Sequence, residues 1–200
     1  MSQAIIEREG LTIADIERNA DFSVNDDIDG DFEIVDGQQV EKPPMSAFGN
    51  GAFTNLVISP GQFVREKQPG RIRAEQNFRF SVNATRTWKP DIAFISYERW
   101  PKHREVAFVS PRLVVPDLAV EVISQGNLAD ETIYRIESYF SNGVRNVWVV
   151  YPQRYLIYCY ASRTSVRILQ LSDSLDGGDV LPGLKLPVES LFEDVPSEQP

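Results

Sequence analysis

Two acids interrupt a stretch that is otherwise typical of a buried β-strand, in the segment PDLAVEVISQGN at residues 116–127. Side chains alternate between faces along a strand, so Asp117 and Glu121 point to the same side. A second apolar segment, PDIAFIS at residues 90–96, opens with another acid, Asp91. Burying an ionised carboxylate without a partner costs a large part of a domain's net stability of about 5–15 kcal/mol. Something must therefore offset these charges.

Three kinds of partner could do so: a bound divalent cation, a basic side chain, or water at the end of a strand. Asp91 and Asp117 each follow a proline at a strand start, where water can reach them, whereas Glu121 lies mid-strand and must face a cavity or a partner. Carboxylates that meet at a cleft are a natural site for Mg²⁺, which takes oxygen ligands and keeps several waters. Such an ion activates water and stabilises charge on a phosphoryl group. A metal site and a structural acid–arginine pair both remain open.

Short strands and helical segments, separated by turn signals, must position these acids. FEIVDGQQV predicts a β-hairpin, since Asp36 and Gly37 can adopt the positive φ angles of a two-residue turn, and it places Glu33 on a strand. Helical apolar spacing at residues 46–66 is interrupted by Pro60, which predicts a broken or kinked helix. Further strands are predicted at GRIRAEQNFRF, RNVWVVY, YLIYCYA and SVRILQL.

A second helix is predicted directly after the strand that carries Glu121. Asn127 is a good N-cap, and an apolar stripe at helical spacing follows it until Gly143. Arg135 lies on this helix, four residues after Glu131. One interpretation of Arg135 is therefore a surface ion pair worth a few tenths of a kcal/mol. The other places its guanidinium in the same cleft as the acids.

The length of the chain predicts one domain over residues 1–200, because 200 residues suffice for one well-buried core and are few for two. Residues 1–30 are predicted to form a short helix followed by an acidic loop. Residues 182–200 hold several prolines and predict a loosely packed tail.

Charge is distributed unevenly in this protein of net charge −9. Residues 65–104 carry 10 Lys/Arg against 4 Asp/Glu, whereas the segments before and after them have net charges of −9 and −6. A basic surface within an acidic protein and a set of solvated strand faces are both compatible with this pattern.

Compartment is indicated by the cysteine content and by the absence of a long apolar run. The single cysteine, Cys159, cannot form an internal disulfide, which fits a reducing environment. No stretch approaches the roughly 20 apolar residues of a membrane helix. The sequence therefore predicts a cytoplasmic protein without a membrane anchor.

Three phrases in this order, KPDIAFISYERWP, PDLAVEVIS and YFSNGVRNVWVVYPQRYLIYCY, resemble the Uma-two family. Members of that family are similar to PD-(D/E)xK nucleases of the restriction-endonuclease type. The phrases FEIVDGQQVEKP and LPGLKLPVESLF are similar to the family's start and finish, so the resemblance covers nearly the whole chain. It implies a fold of the α/β (α+β) class, with a restriction-endonuclease-like mixed β-sheet flanked by helices.

The resemblance also implies a metal site. Asp91 and Glu121 would hold Mg²⁺ or Mn²⁺, with Asp117 tuning the site from its edge. Glu33 could line the cleft as a third acid, although a solvent-facing strand position is the other interpretation of this residue. The competing interpretation of Asp91 is a turn acceptor, and that of Glu121 is a buried pair with an arginine.

The lysine of the superfamily usually lies two residues after the second acid, where this chain has Ile123. In the Uma-two family it lies on the following helix, at the position of Arg135. A guanidinium is effectively always charged and cannot act as a base. It can still clamp a phosphate or stabilise a transition state.

Together these implications predict a metal-dependent endonuclease that hydrolyses phosphodiester bonds in DNA, with Asp91, Glu121 and Arg135 as catalytic residues. The alternative is a catalytically inactive nucleic-acid-binding or interaction module that kept the fold and lost turnover with the lysine. A structural protein whose acids pair with arginines is a third hypothesis. A homodimer is compatible with the first, since nucleases that cut both strands often pair subunits.

Overall fold

The computed structural model describes residues 32–35, 37–42, 44–80, 85–103, 112–124 and 126–193. The helix and acidic loop predicted at residues 1–30 lie outside these ranges, as does Asp36 of the predicted hairpin turn.

The described residues contain a hairpin, a central sheet and helices on both of its faces. The strands are β1 (Phe32–Val35), β2 (Gln38–Glu41), β3 (Gly70–Ala74), β4 (Phe78–Arg79), β5 (Ile92–Ser96), β6 (Arg112–Leu113), β7 (Leu118–Val122), β8 (Asn146–Tyr151), β9 (Leu156–Ser162), β10 (Ser165–Leu169), β11 (Ser174–Asp176) and β12 (Lys185–Pro187). The helices are α1 (Ala47–Lys67), α2 (Ala129–Ser141) and α3 (Val188–Leu191), with a 3₁₀ turn at Pro152–Arg154.

The central sheet has six strands in the order β10-β9-β8-β7-β5-β3. Strands β7 and β8 run parallel, and the other neighbouring pairs are antiparallel. Helix α2 lies between β7 and β8 in the chain, as a parallel pair requires of its crossover. The predicted mixed sheet flanked by helices is therefore confirmed.

The two faces of the sheet are covered by different helices. On one face, Leu56 of α1 packs with the alternate side chains Ile92 and Val120 of β5 and β7. On the other face, Ile136 and Tyr139 of α2 pack against side chains of β7 and β8. The odd-numbered residues of β7, which include Glu121, therefore face α2.

Helix α1 continues through Pro60 as one element, so the break that was one of the two predicted outcomes does not occur. Its N-cap is Ser46, whose side chain accepts a hydrogen bond from the backbone N–H of Gly49 at 3.1 Å. Pro60 is itself buried on the face that packs against the sheet, together with Leu56 and Val64. Burial of this apolar face outweighs the backbone hydrogen bond that proline removes.

Residues 182–193 pack against the core, which corrects the prediction of a loosely packed tail for this segment, while residues 194–200 lie outside the described ranges. Val188 and Leu191 of α3 are fully buried, and Leu184 is 1% exposed. The side chain of Asn55 on α1 donates hydrogen bonds to the carbonyls of Leu191 and Glu193 at 3.3 and 3.0 Å. Pro182 lies in a turn and Pro187 ends β12, while the apolar residues beside them determine the packing.

Within the described ranges, no helix combines the length and the apolar character that crossing a membrane demands.

Candidate active site

The register of β5 and β7 brings the two predicted metal ligands together. Ile92 pairs with Val120 in this antiparallel ladder, so the preceding residue, Asp91, comes opposite Glu121. Residues directly opposite each other in an antiparallel pair point to the same face. Both acids are buried, with exposures of 3% and 5%. One Asp91 oxygen accepts a hydrogen bond from the backbone N–H of Val122 at 2.5 Å, which ties the carboxylate to the neighbouring strand.

Helix α2 supplies two partners for Glu121. The Tyr139 hydroxyl donates a hydrogen bond to its Oε1, and Nη1 of Arg135 lies 3.4 Å from the same oxygen. Arg135 and Tyr139 are four residues apart and so share one face of the helix. Burial raises the pKa of Glu121 to about 7, with a further contribution from the charge of Asp91, although Arg135 and Lys42 lower it.

Glu33 is buried, which overturns the interpretation of this residue as solvent-facing. Its exposure is 4%, and its two carboxylate oxygens accept hydrogen bonds from both terminal nitrogens of Arg135, each at 2.8 Å. The backbone N–H of Lys89 donates a third hydrogen bond at 2.7 Å. The hairpin is held in this place by Ile34, which exchanges hydrogen bonds with Thr87 at 2.8 and 2.9 Å.

Arg135 therefore points into the cleft, and not along its own helix toward Glu131. Its ion pairs among the described residues are with Glu33 and Glu121. Burial lowers the pKa of Arg135, but the surrounding negative charges outweigh burial and the net shift is upward. The guanidinium is thus a permanent charge whose two terminal nitrogens are occupied by Glu33. Its two contacts with Glu33 hold the guanidinium beside Glu121.

Lys42 is a site residue that the sequence motifs do not indicate. Its ammonium pairs with Asp91, lies 3.1 Å from the carbonyl oxygen of Lys89, and lies 3.5 Å from Oε2 of Glu75. Burial lowers the pKa of Lys42, but the charges of Asp91, Glu121 and Glu75 outweigh burial and raise it overall. The motifs place a lysine on the strand or on the following helix, far along the chain from Lys42. The feature of the sequence that could have indicated Lys42 is its acidic surroundings, because Lys42 is one of only 3 basic residues among residues 1–64, which hold 12 acids.

Asp117 lies in a separate cluster, and this position corrects its expected accessory role. It precedes β7, whereas Glu121 lies near the other end of that strand, about 13 Å further along at about 3.3 Å per residue. The Asp117 carboxylate accepts a hydrogen bond from the backbone N–H of Ser96 at 2.7 Å. It also pairs with Arg99 at 3.1 Å and with Arg145 at 3.5 Å. Asp117 is therefore a structural acid that arginines neutralise.

A cleft of about 420 Å³ joins the remaining site residues. Its lining includes Glu33, Lys42, Asp91, Glu121, Ile123 and Arg135. The apolar side chain of Ile123 lies in this wall at the usual position of the superfamily's lysine, whereas the ammonium that contacts Asp91 is that of Lys42. The cleft thus combines buried carboxylates with two largely buried cations.

The donor set fits magnesium better than a metal that requires an all-protein cage. Mg²⁺ is commonly held by one or two carboxylates, with waters and substrate phosphates as its other ligands. Asp91 and Glu121 offer such oxygens side by side. Within the described ranges, no group of three or more His, Cys, Asp or Glu side chains is arranged to hold a metal ion. An ion held by these two acids would have to displace the Lys42 ammonium from Asp91.

This fold and this site define a protein of the restriction-endonuclease-like class: a mixed sheet whose antiparallel strands bring two acids together beneath a helix. The chain belongs to the Uma2 family, described as "Putative restriction endonuclease", whose model matches residues 20–189.

A crystal structure of a putative nuclease belonging to DUF820 from Anabaena variabilis has a similar fold, with a TM-score of 0.70. The two sequences are 18% identical, and the similarity covers 81% of this chain and 89% of the other. At this identity the likeness shows the fold alone. No curated protein matches the chain.

Proposed function

We propose that this protein is a magnesium-dependent endonuclease that hydrolyses phosphodiester bonds in DNA, with Asp91 and Glu121 as the ligands of the metal. The observation that carries the proposal is their geometry: two buried carboxylates, opposite each other on neighbouring strands, face one cleft. Membership in the Uma2 family, with its description "Putative restriction endonuclease", supports the same reaction class. Mn²⁺ would serve in place of Mg²⁺, because it prefers the same oxygen ligands.

The bound ion would polarise the phosphate and activate a water for attack. The other residues of the cleft prepare its ligands. The Tyr139 hydroxyl fixes one Glu121 oxygen by hydrogen bonding, and Arg135 is held against the same oxygen by its two contacts with Glu33. We therefore assign Arg135 the role of orienting Glu121.

Lys42 supplies the mobile positive charge of the site. Its ammonium neutralises Asp91 and is compact and flexible enough to transfer its contact to a phosphate oxygen of the substrate. Its raised pKa means that it acts as a cation and not as a general base. Lys42 thus supplies, from the segment after the hairpin, the positive charge that the superfamily's lysine usually provides.

Plasmid cleavage tests the proposal directly. Purified protein is incubated with supercoiled plasmid in Mg²⁺, in Mn²⁺ and in EDTA, beside Asp91→Ala and the matched control Asp176→Asn, an exposed acid of β11. Loss of a preorganised charge at the reacting centre is expected to slow cleavage by at least about 100-fold in Asp91→Ala. The control should cleave like wild type. If Asp91→Ala nicks plasmid as fast as wild type, the assignment of Asp91 is wrong.

A catalytically inactive nucleic-acid-binding module is the second candidate, and one observation favours it. Each acid already contacts a cation, Lys42 for Asp91 and Arg135 for Glu121, so the fold needs no metal to compensate their burial. A calorimetric titration with MgCl₂ separates the two functions. The nuclease binds Mg²⁺ in a manner that Asp91→Ala abolishes, whereas the inactive module gives no heat of binding at millimolar concentration.

A further inference from the structure

Strand β3, at one edge of the central sheet, carries two arginines that form no ion pair with any acid among the described residues. Arg71 and Arg73 point to the same face and are about 7 Å apart along the strand. In the part of the chain that the structure describes, their hydrogen bonds go only to backbone carbonyls. Arg71 donates to those of Pro101 and Lys102 at 3.3 and 2.7 Å, and Arg73 donates to that of Ile72 at 2.9 Å.

Two aromatic rings support these cations. The guanidinium carbon of Arg71 is 4.9 Å from the ring centroid of Trp100 and 5.5 Å from that of Tyr97. That of Arg73 is 5.6 Å from the Trp100 centroid, and the ammonium of Lys102 is 5.9 Å from the Tyr97 centroid. We call these five residues the arginine shelf. The rings hold the cations through cation–π contact and do not neutralise their charge.

The arginine shelf concentrates positive charge that no acid of the described residues neutralises by an ion pair. The chain has 29 acids and 20 basic residues, yet those described acids that form ion pairs do so elsewhere, with cations other than Arg71 and Arg73. Burial and the neighbouring charge of Arg71 lower the pKa of Arg73, so the two cations repel each other. An anion bound at the shelf would relieve that repulsion.

The burial of Trp100 indicates which part of a nucleic acid the shelf would contact. This ring is 3% exposed and lies beneath the arginines, so it has no free face on which a base could stack. Single-strand binders rely on exposed aromatic faces for that purpose. The guanidinium groups above the ring suit phosphate oxygens instead, since arginine is a bidentate phosphate donor.

The shelf and the candidate active site share one face of the sheet. Arg73 pairs with Ala93, and Ala93 pairs with Ala119, two residues before Glu121. Arg73 therefore lies about 7 Å, and Arg71 about 13 Å, along the strand direction from the position of Asp91. A polyanion that crosses β3 on this face reaches both the shelf and the cleft.

We propose that the arginine shelf binds the phosphate backbone of double-stranded DNA on the side of β3, next to the segment that enters the cleft. This inference rests on the proposed function, because it takes the same substrate and extends its path beyond the cleft. The contacts are to backbone phosphates, so the shelf contributes affinity without sequence preference.

Fluorescence anisotropy with a labelled DNA duplex of mixed sequence tests this proposal in EDTA, where no metal and no cleavage are required. Wild type is compared with the double variant R71Q/R73Q over a series of salt concentrations. The matched control is R163Q/R167Q, which removes two exposed charges at the opposite, β10 edge of the sheet. A second variant, R71K/R73K, replaces the same two side chains but keeps both charges, so it separates a loss of DNA affinity caused by lost charge from one caused by a disturbed structure.

The expected result is at least about 10-fold weaker binding by R71Q/R73Q, with a salt slope of log K against log [salt] that is smaller by about 1.8, or about 0.9 for each phosphate that the variant no longer neutralises. R163Q/R167Q should bind like wild type, and R71K/R73K should keep the wild-type salt slope with an affinity between those of wild type and R71Q/R73Q, because lysine keeps the charge but not the bidentate contact. Equal weakening in R71Q/R73Q and R163Q/R167Q, or a salt slope in R71K/R73K as small as that of R71Q/R73Q, would overturn the shelf. Tighter binding of a duplex RNA of the same length would overturn the choice of DNA.

This experiment separates the shelf from the proposed function. If wild type binds DNA through Arg71 and Arg73 but cleaves it neither with Mg²⁺ nor with Mn²⁺, the proposed activity fails and the shelf stands. If wild type cleaves DNA while R71Q/R73Q binds as tightly as wild type, the shelf fails and the proposed activity stands.

Discussion

Replacing Glu33 by glutamine should destabilise the protein strongly, although Glu33 lies on a short hairpin strand. The substitution keeps the size of the side chain and removes its charge. It leaves Arg135 without its bidentate partner at 2.8 Å, in a position where the Arg135 side chain is only 20% exposed. The glutamine carbonyl oxygen, in the place of Oε1, can still accept hydrogen bonds from Nη1 of Arg135 and from the backbone N–H of Lys89, but its NH₂ group cannot accept the third, from Nη2.

The size of the effect follows from these contacts. Removing one partner of a buried ion pair costs about 3–5 kcal/mol, because the other charge is left uncompensated. Two features reduce that figure here: Arg135 keeps its contact with Glu121 at 3.4 Å, and it retains some solvent access. We therefore expect Glu33→Gln to lower the free energy of unfolding by about 2–3 kcal/mol. Arg135→Gln should cost more, about 3–5 kcal/mol, since it leaves two buried acids without their common cation.

Urea denaturation of the two variants and of their double variant measures both the costs and the coupling between the side chains. The control is Glu131→Gln on the same helix, one turn before Arg135, where the change should stay within about 0.5 kcal/mol. A cost below about 1 kcal/mol for Glu33→Gln would refute the buried pair. So would a coupling energy near zero between positions 33 and 135.

Three further predictions concern separate features of the structure. Gly70→Ala should destabilise the protein by about 1–3 kcal/mol, because the new Cβ would lie 2.1 Å from the backbone oxygen of Ile95. Gly61→Ala in α1, where a new Cβ would have no atom within 4 Å, should stabilise the protein by about 0.5–1 kcal/mol. Thermal melts of the two variants and of wild type measure both changes in stability. Burial raises the pKa of the Cys159 thiol to about 12, so iodoacetamide at pH 8 should label the native protein at least about 100-fold more slowly than the urea-unfolded chain, and equal rates would contradict the burial. The folded protein holds the Glu121 proton more tightly than the unfolded chain does. The contribution of Glu121 to stability is therefore complete below the unfolded pKa of 4.5 and is lost as pH rises through about 7. In urea titrations, Glu121→Gln should lose less stability than wild type between pH 5 and pH 8.

The two central acids can be predicted from the sequence because strand patterning makes them conspicuous. An acid in the middle of a run such as LAVEV must face something polar, and the period of two assigns it to a face. The pattern alone therefore singles out Glu121, and the resemblance to the Uma-two family is what assigns Asp91 to it as a partner. The register that sets them opposite each other requires only that their strands be neighbours.

Glu33 and Lys42 could not be assigned in this way, since their roles depend on where the hairpin docks. Strand β1 pairs only with β2 among the described strands, and it is fixed to the rest of the protein through contacts between Ile34 and Thr87, 53 residues away. No local pattern encodes such a contact. The alternation of one strand also predicts that Glu33 and Ile34 face opposite sides, yet both are buried because the hairpin is covered on both sides there.

Pro60 and the C-terminal prolines show the same limit for local rules. A proline signals a helix break or a loose tail when only neighbouring residues are considered. In the folded chain, Leu56 and Val64 on either side of Pro60 are buried against the sheet, and Val188 and Leu191 complete the same core. The free energy of burying these side chains exceeds the local penalty, so the helix continues and residues 182–193 pack against the core.

Charge balance explains why the cleft is suited to a divalent ion even though its acids are already paired. The linked ion pairs join four carboxylates, Glu33, Glu75, Asp91 and Glu121, to three cations, Lys42, Lys89 and Arg135, so full ionisation leaves one negative charge in excess among them. Burial opposes that excess by holding the proton of Glu121 up to a pH of about 7. Arg135 is fixed by two short contacts to Glu33, whereas Lys42 reaches Asp91 from the end of a flexible side chain. In the proposed function, a metal ion that replaced Lys42 on Asp91 would also favour ionisation of Glu121, so both proposed ligands would become available together.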